Sequence, residues 1–179
     1  MNRGLPALLL LLAGCPHRPP PAPEGSLVIA PKPAPAAPEG TPVAPGTWTD
    51  ASGLSLQIPE GWSGQTGPPG SSLLLTLKHA DTGVQVELWS FASSGEVGPR
   101  PRPGCEWMFN DAANHRLVPA LTPAVTATCL SDDPLAPVVQ GWYGRVHGRE
   151  VQVEVIYPAG RVIEGRAVVE PLLESLKGG

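Results

Sequence analysis

The chain has 179 residues, 24 of them proline, with 12 Lys and Arg against 16 Asp and Glu, so its formal net charge at pH 7 is −4. This mildly acidic balance argues against nucleic-acid binding and against electrostatic docking on anionic lipid, because both use a concentrated basic surface. The length suits one ordinary domain with a single hydrophobic core.

The start of the chain has the features of an export signal. Residues 5–12 form an apolar run after Arg3 that is too short to cross a bilayer as a stable helix. The run ends in Leu12-Ala13-Gly14-Cys15, which resembles a bacterial lipobox. The resemblance implies cleavage after Gly14 and attachment of lipid, with acyl chains such as palmitate, to Cys15. The alternative is a chance cysteine in an ordinary signal peptide or in a buried N-terminal helix.

A proline-rich stretch follows the signal. From Pro16 to Gly46, 11 of the 31 residues are proline and none is aromatic. Such a segment cannot bury enough apolar area to offset its ordering entropy, so residues 15–46 are expected to be a disordered tether and residues 47–179 a single domain. The residue directly after Cys15 is Pro16, and not the aspartate that in enteric bacteria resembles an inner-membrane retention signal. We therefore expect an outer-membrane location, facing the periplasm or the cell surface.

The cysteines fit an exported protein. Once Cys15 carries lipid, Cys105 and Cys129 remain as an even pair in an oxidising compartment, and we expect a disulfide between them. The alternative is a zinc site that adds His115 or His147, but the paired Cys-x-x-Cys spacing of such sites is missing. We expect no metal and no cofactor.

Strand patterns dominate residues 47–179. Three segments alternate apolar and polar residues with the period of a half-buried antiparallel strand: residues 54–58, 84–88 and 150–157. Turn residues predict two hairpins, formed by residues 72–79 with 84–91 and by residues 138–146 with 151–157. A further strand is expected at residues 124–130. The pattern predicts an α+β domain whose antiparallel sheet has about five to seven strands.

Two segments are expected to be helical and to flank the sheet. The last one is amphipathic, with its apolar face formed by Val168, Val169, Leu172, Leu173 and Leu176. Pro171 either lies in the first turn of this helix or kinks it. Residues 106–115 are assigned as the second helix, although Trp107, Met108 and Phe109 would suit a strand equally well.

The segment Gly53-Leu54-Ser55-Leu56-Gln57-Ile58-Pro59-Glu60-Gly61-Trp62 resembles the opening of PsbP-like and DcrB-like domains, in which a short strand ends in a proline, a small turn and a tryptophan. The segment Leu172-Leu173-Glu174-Ser175-Leu176-Lys177 is similar to their last helix. The resemblance implies an antiparallel sheet sandwiched by helices, in a group that includes bacterial lipoproteins and photosystem subunits and mostly acts by binding or assembly. It covers residues 99–137 poorly. We also expect Trp62 and Trp142 to be buried.

Three residues are candidates for binding. Trp89 is out of phase with the apolar residues 84–88, so we expect it on the second face of the sheet. Arg100 and Arg102, in Gly98-Pro99-Arg100-Pro101-Arg102-Pro103-Gly104, form the only tight basic pair of the chain. We expect a solvated proline-rich loop here, and an anion-binding loop is the alternative.

No catalytic residues are identified. An acyl-transfer triad needs a nucleophile on a strained turn, a histidine and an orienting acid, and the sequence has no Gly-x-Ser-x-Gly segment. His79 and His147 border the expected turns. Asp132 and Asp133 lack the dense oxygen spacing of a calcium loop. We therefore expect that the protein is not an enzyme.

The sequence as a whole predicts a membrane-anchored lipoprotein that acts as a non-catalytic binding or assembly module with an envelope protein partner. This class predicts no cleft lined by titratable groups. One alternative is a carrier of a small hydrophobic or sugar ligand, which predicts a deep pocket between sheet and helix. The other is a hydrolase, which predicts two or more titratable residues that converge in a pocket.

Overall fold

The computed structural model describes residues 40–92, 97–110 and 117–179. Gly14, Cys15 and the tether up to residue 39 lie outside the described residues, as does His115. Among the residues that the structure describes, no helix is long and apolar enough to cross a membrane.

The described residues form ten strands and one helix. In chain order they are β1 (Pro42–Val43), β2 (Gly46–Thr49), β3 (Ser55–Ile58), β4 (Trp62–Thr66), β5 (Leu73–His79), β6 (Gln85–Phe91), β7 (Glu106–Asn110), β8 (Thr122–Leu130), β9 (Val138–Val146), β10 (Arg149–Tyr157) and α1 (Val162–Glu174). Eight strands form one antiparallel sheet in the order β1-β4-β5-β6-β10-β9-β8-β7, and β2 pairs with β3. The sheet therefore consists of two groups of antiparallel strands, β1-β4-β5-β6 and β10-β9-β8-β7, which are joined where β6 pairs with β10.

The sheet is larger, and the helical part smaller, than the sequence predicted. The expected count of about five to seven strands is too low, because β1 and β4 are short and lack a clear apolar alternation. Residues 106–110 are strand β7 and not the first half of a helix, so within the described ranges only α1 flanks the sheet. β7 pairs with β8 along its whole length, from Glu106 opposite Leu130 to Asn110 opposite Thr126.

The folded part begins before the expected boundary at residue 47. β1 pairs with β4 at one edge of the sheet, and the backbone N–H of Thr41 donates to the hydroxyl oxygen of Thr66 at 2.8 Å. Pro42 is tolerated in β1 because an edge strand can leave one backbone donor outside the ladder. Residues 40–46, at the end of the proline-rich stretch, therefore belong to the fold.

Both predicted hairpins are present, since β5 pairs with β6 and β9 pairs with β10. The second hairpin turns at His147 and Gly148, whose φ angles are 50° and 77°. Two successive left-handed residues are typical of a type I′ turn, which matches the twist of the two strands. The strand expected at residues 124–130 forms most of β8.

The hydrophobic core lies between α1, β3 and one face of the sheet. The core residues of β10 and α1 are Val151, Val153, Val155, Tyr157, Val169, Leu172 and Leu173. Trp62 and Trp142 are only 2% and 1% exposed, which confirms that both are buried.

The closing helix is longer than its apolar pattern indicated. It begins at Val162, so Pro171 lies well inside it and not in its first turn. Gly165 allows the helix to approach the sheet, because a Cβ at this position would lie 2.6 Å from the ring of Tyr157 and 2.7 Å from a methyl group of Val84.

Candidate functional site

Residues 97–104, here called the Pro-Arg loop, lie over β6 and β10 on the face of the sheet opposite α1. Glu150, Gln152 and Glu154 lie on this face because they alternate along β10 with the core valines. They are only 3%, 2% and 7% exposed. β10 is therefore buried on both faces, whereas its alternation predicted a half-buried strand.

Polar contacts hold the Pro-Arg loop on the sheet. Arg102 Nη2 lies 2.9 Å from Glu154 Oε2 and 3.8 Å from Glu87 Oε2. The side-chain amide of Gln152 donates to the carbonyl oxygen of Gly98 at 3.3 Å. The expected proline-rich loop is therefore bound to the sheet through side-chain and backbone groups, while Arg100, Pro101, Pro103 and Gly104 remain exposed to solvent.

Glu154 is bound through both of its carboxylate oxygens. The hydroxyl of Tyr143 donates to Oε1 at 3.3 Å, while Arg102 binds the other oxygen. Burial raises the pKa of Glu154, the guanidinium of Arg102 opposes this increase, and the nearby Glu87 adds to it. Burial and the same carboxylate also raise the pKa of the Tyr143 hydroxyl, which keeps Tyr143 protonated as a donor.

Gly141 makes room for this hydrogen bond. It lies directly opposite Glu154 in the pairing of β9 with β10, and a Cβ at this position would overlap the hydroxyl and ring of Tyr143. The phenol ring can therefore lie over Gly141 and place its hydroxyl beside the carboxylate.

Aromatic side chains border the loop on two sides. The rings of Trp89 and Phe91 in β6 are parallel within 3°, with centroids 6.2 Å apart, and the guanidinium carbon of Arg100 lies 3.6 Å from the Phe91 centroid. The indole N–H of Trp107 in β7 donates to the carbonyl oxygen of Arg100 at 3.1 Å. Trp89, Arg100 and Arg102, which the sequence identified separately, therefore lie together at one site.

A groove of about 330 Å³ lies beside the Pro-Arg loop, lined by Trp89, Phe91, Arg100, Pro101, Arg102, Pro103, Gln152 and Glu154. This groove contradicts the expectation that a binding module would have no cleft lined by titratable groups. In contrast, the space between sheet and helix in the described part of the chain is only about 10 Å³, no more than one water molecule fills. The deep pocket expected there for a ligand carrier is therefore missing from the described residues.

Sequence reasoning missed Phe91, Tyr143, Gln152 and Glu154 as parts of the site. One usable signal was present. Arg100 and Arg102 are two residues apart in an extended, proline-rich segment, and the polar residues of β10 repeat with the same two-residue period. Opposite charges with matching periods indicate that two extended segments can face each other.

Cys105 and Cys129 form the expected disulfide, with their Cα atoms 5.3 Å apart. Cys105 lies between the Pro-Arg loop and β7, so the bond fixes one end of the loop to β8. Within residues 40–92, 97–110 and 117–179, no group of three or more His, Cys, Asp or Glu side chains is arranged to hold a metal ion.

The other titratable candidates have structural roles. His79 Nδ1 lies 3.1 Å from the hydroxyl oxygen of Thr82, and the His79 ring meets Trp62 edge-on at 5.2 Å. His147 forms the β9–β10 turn. Asp133 accepts a hydrogen bond from the backbone N–H of Leu135 at 2.9 Å, which places it in a turn.

No protein-family model matches the chain, and no curated protein sequence matches it. Among solved structures, the chain is similar to the solution structure of cyanobacterial PsbP (CyanoP) from Synechocystis sp. PCC 6803. The match covers 88% of this chain and 100% of the other, at 11% sequence identity and a TM-score of 0.45. A likeness at this level shows nothing about function.

Proposed function

We propose that the chain is a lipid-anchored lipoprotein of the bacterial envelope whose domain acts by binding and not by catalysis. The groove beside the Pro-Arg loop carries this proposal. It brings two parallel aromatic rings, two arginines and two prolines together at the surface. Aromatic residues and arginine are the side chains most enriched where proteins bind partners.

The carboxylates of the groove favour binding over hydrolysis. Glu154 is engaged by Arg102 and Tyr143, and Glu87 accepts hydrogen bonds from Gln85 at 2.7 Å and from Trp89 at 3.3 Å. None of the described residues that line the groove is a serine, cysteine or histidine. A hydrolase needs a nucleophile or a general base that is held ready for substrate.

The N-terminal sequence supports the anchored half of the proposal. Leu12-Ala13-Gly14-Cys15 resembles a lipobox, and the proline-rich stretch behind it has the composition of a tether. Lipid on Cys15 would hold the chain on the membrane while the tether presents the groove to an envelope protein. Pro16 fits an outer-membrane destination.

Photo-cross-linking in cells tests this function. A photoreactive amino acid replaces Pro101 in the groove, and the matched control carries it in place of Ile163 on α1, which is 85% exposed. We expect one defined envelope protein to be captured from position 101 and not from position 163. The capture should be lost when Cys15→Ser removes the site of lipid attachment.

Equal capture from both positions, or no captured protein from position 101 of the anchored form, would overturn the assembly function. The second result would favour the alternative, a carrier that holds a small ligand in the groove. The volume of about 330 Å³ supports that alternative, since it lies at the lower end of the range for small-molecule sites.

A further inference from the structure

The charged side chains most exposed at the groove are the two arginines. The side chains of Arg100 and Arg102 are 50% and 34% exposed, whereas those of Glu87, Glu154 and Glu150 are 16%, 9% and 3% exposed. A molecule that enters the groove therefore meets guanidinium groups first, with the carboxylates beneath them.

The carboxylate oxygens beneath the two arginines already accept hydrogen bonds. Both oxygens of Glu154 are bound, one by Arg102 and one by Tyr143. Glu150 Oε1 accepts a hydrogen bond from the Gln152 amide at 2.6 Å. These carboxylates hold the loop and its arginines in place, so a ligand finds donors in the groove more readily than acceptors.

Arg100 lines the groove and leaves half of its side chain exposed. Its guanidinium carbon lies 3.6 Å from the centroid of Phe91, so the cation packs over the face of the ring. A guanidinium that stacks on a ring carries its N–H groups in its own plane, which leaves them able to donate to other acceptors. The ion pair of Arg100 with Glu150 spans 3.9 Å, which is longer than a hydrogen bond.

The walls of the groove suit a flat apolar group. Trp89 lies parallel to Phe91 on one side, and Pro101 and Pro103 line the other part of the groove. Indole and proline surfaces bind planar and apolar groups by stacking and contact. The donors of Arg100 lie beside this wall, because Arg100 packs on Phe91.

We infer that the groove binds a carboxylate carried next to a flat apolar group, with Arg100 as the bidentate donor and Trp89 as the stacking surface. The inference rests on the proposed binding function and names the chemistry that the groove recognises. Such a carboxylate can belong to a free small acid or to the C-terminal end of a polypeptide.

Titration calorimetry on the full-length protein in detergent tests the inference with matched pairs of probes. N-acetyltryptophan is compared with N-acetyltryptophan amide, and the peptide Ala-Ala-Pro-Trp with a free C-terminus is compared with its amidated form. We expect at least one acid to bind about tenfold more tightly than its amide, the gain typical of a hydrogen bond to a charged group. The pair that shows the difference identifies the source of the carboxylate.

Variants assign the effect to the groove. Arg100→Gln should abolish the preference for the acid, and Arg100→Lys should restore only part of it, because lysine keeps the charge but not the planar fork. Trp89→Leu should weaken acid and amide by a similar factor. Arg149→Gln is the matched control, since Arg149 is exposed and lies on the opposite face of β10 from Glu150.

Equal binding of acid and amide, or an equal loss of preference in Arg149→Gln, would overturn the inference. These outcomes are separate from those of the cross-linking experiment. A protein captured at position 101 together with equal binding of acid and amide would keep the assembly function and refute carboxylate recognition.

Discussion

A hydrogen atom in place of a methyl group at residue 141 decides whether Tyr143 can reach Glu154. We predict that Gly141→Ala lowers the unfolding free energy by about 1–3 kcal/mol, because the added Cβ displaces the phenol and leaves a buried carboxylate without one of its donors. Urea unfolding measures the loss. Gly98→Ala is the control, since a Cβ there meets nothing within 4 Å, and equal effects of the two substitutions would contradict the steric argument.

Glu154 gives the fold a pH dependence of defined sign. Burial raises its pKa in the folded state, so the folded protein binds this proton more tightly than the unfolded chain does. The contribution of Glu154 to the unfolding free energy is therefore largest below the usual range of glutamate pKa values, and it falls as the pH rises through the raised pKa.

The Glu154→Gln variant cannot ionise at this position. We therefore predict that it gains stability relative to the parent protein as the pH rises across that interval, in urea unfolding at a series of pH values. Titrating groups that do not interact with Glu154 cancel in the comparison. A difference between the two proteins that stays constant with pH would refute a raised pKa for Glu154.

The sequence predicts several individual residues of the candidate site, but it does not predict that they lie together. Strand alternation was enough to place Trp89 on the second face, because alternation fixes the side to which a residue points. It does not reveal what covers that side. Alternation alone therefore predicts that Glu154 is exposed to solvent, whereas Arg102, 52 residues earlier in the chain, covers it.

At the scale of elements, β7 lies at the end of the described sheet and pairs there only with β8. The disulfide closes a chain separation of 24 residues at this edge. We predict that the double variant Cys105→Ser, Cys129→Ser loses about 3.5 kcal/mol of unfolding free energy by the loop-entropy model. Hydrogen exchange should become faster in β7 before it does in β5, which is distant in the sheet order. Uniform acceleration in both strands would contradict a local role of the disulfide at the edge.

The elements that the sequence predicts well are those whose structure is determined by residues close together in the chain. The β9–β10 hairpin follows from His147-Gly148 and a clear alternation, and α1 follows from its apolar face. β1 and β7 depend on distant partners instead. The same Trp107-to-Phe109 segment suits a helix or a strand, and its pairing with β8 decides between them.

For the molecule as a whole, the lipid proposed on Cys15 would decide where the groove works. We predict that Cys15→Ser abolishes incorporation of labelled palmitate and moves the protein from the membrane pellet to the supernatant, since two or three acyl chains provide the stable attachment. The double variant Cys105→Ser, Cys129→Ser is the control, and should stay labelled and sedimentable. A labelled Cys15→Ser protein would refute the assigned lipidation site.

The sheet can be completed only after β10 has been synthesised, because β6 pairs with β10. Until the ribosome has added Arg149–Tyr157, Gln85–Phe91 has no neighbour on one side, and the two groups of antiparallel strands cannot join. Non-local strand pairing of this kind is slow and comes late in folding. A newly made chain therefore cannot complete this sheet until most of the domain has been synthesised, a delay that would suit the export proposed above.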